Sequence, residues 1–246
     1  MILRRLGRKT KIAGKIQAYF PDHSMYIEPF FGAGGMFFNK ERIPYNILND
    51  YDDNVVNLFN VLMTQADEFR ALLKIMPVHS DLFKTWKHVD ETDAIRIAVR
   101  FLFYSNFGFM GKDTTMTLGR SNTKRIALGR IDETIDALMG CQFSNYDFRE
   151  LFKKISFKNQ RERDKAFIYC DPPYLGTADN YSNSFSYQDT SDLFVVMMSL
   201  RIRFAISEFA NPKVLELAEE HGLNVVEIGE RQALKARRTE ILIMNY

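Results

Sequence analysis

Strand-like and helix-like segments alternate at both ends of this chain, and no other feature restricts the fold as much. Strand patterns at 24–29 and 45–49 are separated by a glycine-rich turn at 30–35 and a short helix at 36–40, and a helix at 54–63 follows. Later, a strand at 142–145 precedes a helix from 147. A strand at 166–170 then leads through a loop to about 188, a helix at 189–200, a strand at 203–207 and a helix at 212–221. Strands joined through helices lie parallel, so the expected fold is α/β, a mostly parallel, doubly wound sheet. The runs at 224–228 and 240–245 have no helix between them and are expected to close the sheet as an antiparallel hairpin.

The middle of the chain breaks the alternation. Residues 64–110 carry helical spacing. Residues 111–130 are rich in glycine, threonine and arginine and read as an exposed hairpin or loop, before a helix at 131–139. The expected division is a domain of residues 1–63 and 134–246, interrupted by a mainly helical subdomain of 64–133.

A chain of 246 residues, 46% of them hydrophobic, can bury a sizeable core. No apolar run reaches the roughly 18 residues of a membrane span. The N-terminal MILRRLGRKTKIAGK has no signal-peptide core, so a cytoplasmic protein without membrane partners is expected. Cys141 and Cys170 form neither a disulfide framework nor a zinc spacing, and His23, His79, His88 and His221 share no metal-like spacing, so no metal is expected. Trp86 and the phenylalanines of 101–109 read as helical core. A net charge of +2 does not announce a nucleic-acid binder, but basic residues gather at 4–15, 112–130, 153–165 and 231–238, compatible with a basic surface.

Two motifs carry chemistry. YIEPFFGAGGMFF (26–38) sets Gly32, Gly34 and Gly35 between a strand and a helix, where bare backbone lets a ligand approach. Asp50 closes the second strand, the place from which an acid binds ribose hydroxyls. The third glycine of a nicotinamide fingerprint is missing, and so is the Lys-Ser or Lys-Thr of a phosphate loop. A cofactor with ribose and adenine but no pyrophosphate fits better.

The second motif is IYCDPPYLGTADNYSNSF (168–185). Pro172 and Pro173 fix their backbone and remove two donors, which leaves the Asp171 carboxylate and the Pro172 carbonyl as a rigid pair of acceptors beside the Tyr174 ring. Two acceptors and a flat ring suit a planar base with an exocyclic amine. Hydrogen bonds from that amine would aim its lone pair at an electrophile such as a methyl sulfonium, so catalysis would be positioning and electrostatic preorganisation. A base paired in a duplex must be flipped out to reach such a site.

These residues resemble the Dam-type DNA adenine-N6 methyltransferases of the DPPY class. EPFFGAGG (28–35) is similar to that family's S-adenosylmethionine motif, DPPY (171–174) to its catalytic motif, and the order of glycine motif, helical recognition insertion and DPPY also agrees. Gly14-Lys15 resembles the N-terminal cofactor motif, YDF (146–148) the segment that holds the cofactor's adenine, and EILIMNY (240–246) the closing strand. The resemblance implies a Rossmann-like methyltransferase sheet and an inserted DNA-recognition subdomain. It implies that Lys15, Glu28, Phe30, Gly32, Gly34, Asp50, Asp147, Phe148 and Asp171 hold the cofactor. Asp171, Pro172, Pro173 and Tyr174 would be catalytic, with Tyr174, Phe185 and Ser186 shaping the base pocket.

SNFGFMG (105–111) is similar to the family's Asn-x-x-Gly-Phe-Asn-Gly, with Met110 in place of the second asparagine and no arginine following. The segment after it would be the DNA-reading hairpin, in which Lys112, Arg120, Lys124 and Arg125 are candidates for phosphate or base contacts. The leading expectation is therefore an enzyme that methylates adenine N6 in double-stranded DNA, solitary or part of a restriction-modification pair, as a monomer or weak homodimer in a bacterial or phage-infected cell. The alternatives are methylation of cytosine N4, RNA or protein glutamine, and a non-catalytic DNA-binding relative. Methylation at cytosine C5 needs a cysteine nucleophile, and the chain has no Pro-Cys pair.

Overall fold

A computed structural model describes residues 2–3, 9–119, 122–176, 185–232 and 237–246. The chain divides into two compact units, one of residues 10–31, 39–51 and 140–246 and one of residues 1–9, 32–38 and 52–139.

The first unit holds a seven-stranded sheet: β1 (Met25–Glu28), β2 (Tyr45–Asn49), β3 (Gln142–Ser144), β4 (Ala166–Cys170), β5 (Arg203–Phe209), β6 (Asn224–Gln232) and β7 (Arg237–Met244), in the order β3-β2-β1-β4-β5-β7-β6. Pairing from β3 to β5 is parallel, and β7 runs antiparallel to both β5 and β6. The helices of this unit are α1 (Ala13–Gln17), α8 (Phe148–Lys154), α9 (Gln160–Asp164), α10 (Tyr187–Leu200) and α11 (Pro212–Glu220), numbered along the whole chain. Every residue of β1 and β4 is buried, as expected of central parallel strands covered on both faces. Ile27, Ile168, Phe204 and Ile206 share a core with Phe148 and Leu151 of α8, Phe194 and Met197 of α10 and Val214 and Leu217 of α11. The alternate residues of β1 and β4 face the other way, where Phe20 packs 4.6 Å from Phe167 and 5.4 Å from Tyr169, centroid to centroid.

The second unit is helical. It contains α2 (Asp53–Thr64), α3 (Ala66–Ile75), α4 (Ser80–Thr85), α5 (Ala94–Phe107), α6 (Thr123–Gly129) and α7 (Ile131–Leu138). Residues 52–63 join the 64–133 segment here because α2 buries Val55, Leu58, Phe59 and Leu62 in the same core as Ala98, Val99, Leu102 and Phe103 of α5. Asp52 caps α2 by accepting from the Asn54 amide, and Asp93 caps α5 by accepting from the Arg96 amide, the use of side-chain oxygens that helix starts favour.

Several boundaries differ from the sequence reading. The short helix at 36–40 is a single 3-10 turn, Phe37–Asn39. Residues 111–130 are not all loop, since α6 occupies their end. The terminal strands run longer than expected, over Asn224–Gln232 and Arg237–Met244. Helix α10 starts at Tyr187 because Ser186 and Asp189 form a reciprocal capping box. Trp86 and Phe103 are core as expected, but Phe109 is 55% exposed because the chain has by then left α5.

Candidate functional site

Strand register lines up the carboxyl ends of the parallel strands. Glu28 pairs with Leu48, Asn49 with Ser144, Ile27 with Ile168, and Cys170 with Ile206. The residues that follow, Pro29-Phe30, Asp50, Asp147, Asp171 and Glu208, therefore gather along one edge of the sheet. Strand order reverses between β1 and β4, and ligands of open α/β sheets bind at such a switch point.

Three of the expected site residues meet as an aromatic triangle. Ring centroids lie 5.7 Å apart for Phe30 and Phe148, 5.9 Å for Phe30 and Phe185, and 6.1 Å for Phe148 and Phe185. Asp147 caps α8 by accepting from the Arg149 amide at 2.8 Å, which leaves Phe148 as the first helical residue. The Arg149 guanidinium lies 4.3 Å over the Phe148 ring and bonds Asp189 and Asp192 of α10, each at 2.7 Å. Burial by itself would lower the pKa of this guanidinium, but Asp189, Asp192 and Asp147 raise it above its ordinary value. One side chain thus ties the Asp147–Phe148 turn to the helix that starts right after Phe185-Ser186.

Glu28, Asp50 and Asp171 lie close enough for their charges to interact. Glu28 is buried and accepts from the Tyr26 hydroxyl at 2.9 Å. Burial pushes its carboxyl well above the usual range; the Tyr26 bond opposes this, and the charges of Asp171 and Asp50 reinforce it. Lys40 sits 4.8 Å over the Tyr26 ring, with its pKa lowered by burial to about 8. Asn49, 1% exposed, donates to the Pro29 carbonyl at 3.0 Å and accepts from Ser144 Oγ at 2.8 Å, so it joins the ends of β1, β2 and β3. The backbone of Asp50 is held by Ser144 and Asn145, leaving its side chain partly exposed at the tip of β2.

At the end of β4, Asp171 is partly exposed while Pro172 and Tyr174 are buried. The Tyr174 hydroxyl donates to Glu240 Oε1, and the ring stands edge-on to Phe209 at 4.7 Å. Glu208 accepts from the amides of Leu175 at 3.1 Å and Phe209 at 2.8 Å, fixing the backbone just beyond the motif. Ser186 is exposed and caps α10. Lys15 is exposed on α1.

In the helical unit, Gly32 and Gly34 take φ of 54° and 70°, a left-handed backbone that favours glycine. Residues 107–117 form a short hairpin: the Phe109 amide donates to the Thr115 carbonyl at 2.7 Å and the Thr117 amide to the Phe107 carbonyl at 2.8 Å. Lys112 is half-buried beside its tip and Arg125 is exposed on α6. The Lys124 ammonium donates to the Met76 carbonyl inside the unit, and Arg120 lies outside the described residues. Among the described residues, no group of His, Cys, Asp and Glu is arranged to hold a metal ion, and no helix is long and apolar enough to cross a membrane.

Sequence reasoning missed Asn49, Arg149, Glu208, Arg231 and Glu240. The available signals were weak: an asparagine before the strand-end acid, an arginine directly after the Asp-Phe pair, and a lone glutamate inside an apolar last strand.

Residues 6–234 match the family described as D12 class N6 adenine-specific DNA methyltransferase. The chain is also similar to curated relatives. It is 28% identical to a DNA adenine methylase of Serratia marcescens over 78% of this chain and 75% of that protein. Identity is 27% to a DNA adenine methylase of Vibrio cholerae serotype O1, over 78% and 73%. It is 25% to a DNA adenine methylase of Salmonella typhi, over 92% and 86%.

Proposed function

The chain belongs to the D12 class of N6 adenine-specific DNA methyltransferases, and on that premise we propose how its own residues carry the reaction. The observation behind this reading is the gathering, at one switch point, of Asp171 after β4 with Glu28 at the end of β1 and Asp50 after β2, on the sheet end where the Phe30 and Phe148 rings meet. Two partly exposed acids and an aromatic cluster fit S-adenosylmethionine, which bears two ribose hydroxyls, an adenine and a positive sulfonium. Phe30 and Phe148 would line the adenine, with Asp147 accepting from its amine and Asp50 from the ribose hydroxyls. Glu28 and Lys15 would hold the amino-acid end, and the backbone at Gly32 and Gly34 would contact the cofactor. When bound, this cofactor supplies an electrophilic methyl group.

The target adenine, flipped out of double-stranded DNA, lies against Tyr174, with Phe185 and Ser186 shaping its pocket. Its amine donates to the Asp171 carboxylate and the Pro172 carbonyl, which directs the nitrogen lone pair at the methyl. Transfer would place that methyl group on N6 with release of the neutral thioether, and Asp171 would take the proton lost from N6 and pass it to water. No covalent enzyme intermediate is needed, so the protein contributes orientation and fixed charge. Lys112, Arg120, Lys124 and Arg125 are assigned to DNA, within the 64–133 segment as the reading element. For Lys124 the bond to Met76 supports a role in bracing that element.

Incubation with labelled S-adenosylmethionine and duplex DNA, followed by nucleoside analysis and mapping of methylated positions, tests the proposal. Label in N6-methyladenine is expected. Label only in N4-methylcytosine, RNA or protein would overturn it.

A further inference from the structure

We propose that Glu240 and Arg231 are positioning residues that hold the Tyr174 ring in register for the target base; the inference rests on the adenine-methylation reading above. Glu240 is fully buried, and both of its oxygens are engaged. Oε1 accepts from the Tyr174 hydroxyl, and Oε2 accepts from Arg231 Nη1 at 3.0 Å. With the edge-on contact to Phe209 and the Leu175 amide held by Glu208, the tyrosine is fixed at hydroxyl, ring and backbone. Burial first, then the charges of Asp171 and Glu240, push the phenol's pKa well up, so it stays a donor at working pH. Its hydroxyl hydrogen bond is committed to Glu240, so the base is offered the ring face.

The sheet is shaped to deliver this anchor. Glu240 pairs with Phe209 on β5 and with Gly229 on β6, and the register of β6 shifts between Glu227 and Gly229. Side chains alternate faces along a strand, so one extra residue exchanges the faces for everything beyond it. Without the bulge, Ile228 and Glu230 would share the face of Glu240, placing an acid beside it. With the bulge, Gly229 and Arg231 do, and a cation meets the buried carboxylate. Gly229 has φ 140°, a conformation that side chains rarely adopt.

The test is a double-substitution cycle on single-turnover methylation of a duplex carrying a mapped target site. Tyr174→Phe and Glu240→Gln should each slow methyl transfer by roughly tenfold to a hundredfold, the size of one hydrogen bond to a charged group, with KM for S-adenosylmethionine unchanged. The two together should lose no more than either alone. Duplex with 2-aminopurine at the target position should emit more strongly with both variants, because a loosely held ring stacks less well on the flipped base. Should Glu240→Gln not fold, Arg231→Met takes its place, slowing transfer in the Tyr174 chain and leaving the Tyr174→Phe chain unchanged. Multiplying losses, or full activity in Glu240→Gln, would overturn this proposal alone. Failure of the unsubstituted chain to make N6-methyladenine would overturn the functional reading and this inference with it.

Discussion

Asn49 and Tyr146 bond each other twice: the Asn49 side-chain amide donates to the Tyr146 carbonyl at 2.9 Å, and the Tyr146 amide donates back to Asn49 Oδ1 at 2.9 Å. Tyr146 directly precedes Asp147, and Asn49 directly precedes Asp50. A single buried side chain therefore sets the spacing of the two acids assigned to the cofactor. Asn49→Ala would leave the Pro29 and Tyr146 carbonyls and the Tyr146 amide short of partners. With unsatisfied buried groups costing about 1–3 kcal/mol each, partly relieved by water, a net loss of about 3 kcal/mol is expected. Urea denaturation should show it, and calorimetry should show cofactor affinity falling by roughly tenfold or more. Unchanged affinity in a folded variant would refute the spacing role.

Asp171→Ala removes one of the two proposed acceptors. Removing one preorganised electrostatic group from an active site costs roughly 100- to 1000-fold in rate, so methyl transfer should fall by that much or more while S-adenosylmethionine binding survives. Normal turnover in this variant would sink the acceptor mechanism.

Glu28 gives a pH signature. Its folded carboxyl holds a proton more tightly than the unfolded one, chiefly because of burial. Its stabilising contribution is complete below the ordinary carboxylate value near 4.5 and is lost as pH rises through the raised folded value. Glu28→Gln keeps an acceptor for the Tyr26 hydroxyl and removes the charge. Its melting temperature should exceed that of the unsubstituted protein at pH 7 to 8, with the gap closing toward pH 4.5, while cofactor affinity drops. A gap of constant size across that range would contradict the assignment.

Gly108 is required by space. A Cβ built there would lie 1.8 Å from the Lys112 carbonyl oxygen and 2.6 Å from that of Tyr104, both backbone atoms that cannot swing aside. Gly108→Ala should loosen the junction between α5 and the 107–117 hairpin at a cost of about 1–3 kcal/mol, the range for overpacking. Fluorescence anisotropy should show weaker DNA binding with cofactor affinity intact; equal loss of both would mean that the damage had spread beyond the hairpin.

The parts of this molecule that were legible in the sequence are those written in short range. A strand that ends on Asp171-Pro172-Pro173 and a glycine turn followed by a second strand with a terminal acid each fit inside a few tens of residues, and both lie at strand ends as expected. Helix α6 was hidden because Gly119, Ser121 and Thr123 around its start read as loop, and only burial of Thr123 and Ala127 favours the helix. The partners of Tyr174 and Asn49 were hidden for another reason. Tyr174 meets Glu240 and Asn49 meets Tyr146 only once strand order is known, and buried polar pairs leave no periodic trace.

Strand β7 comes last of the seven in sequence but occupies an interior place, between β5 and β6. During synthesis every other strand leaves the ribosome first, so β5 waits with an open edge and β6 with no neighbour in the sheet. The same late segment carries Glu240, the anchor of Tyr174. Completion of the sheet and seating of the Tyr174 hydroxyl on Glu240 are therefore one event in the life of the nascent chain.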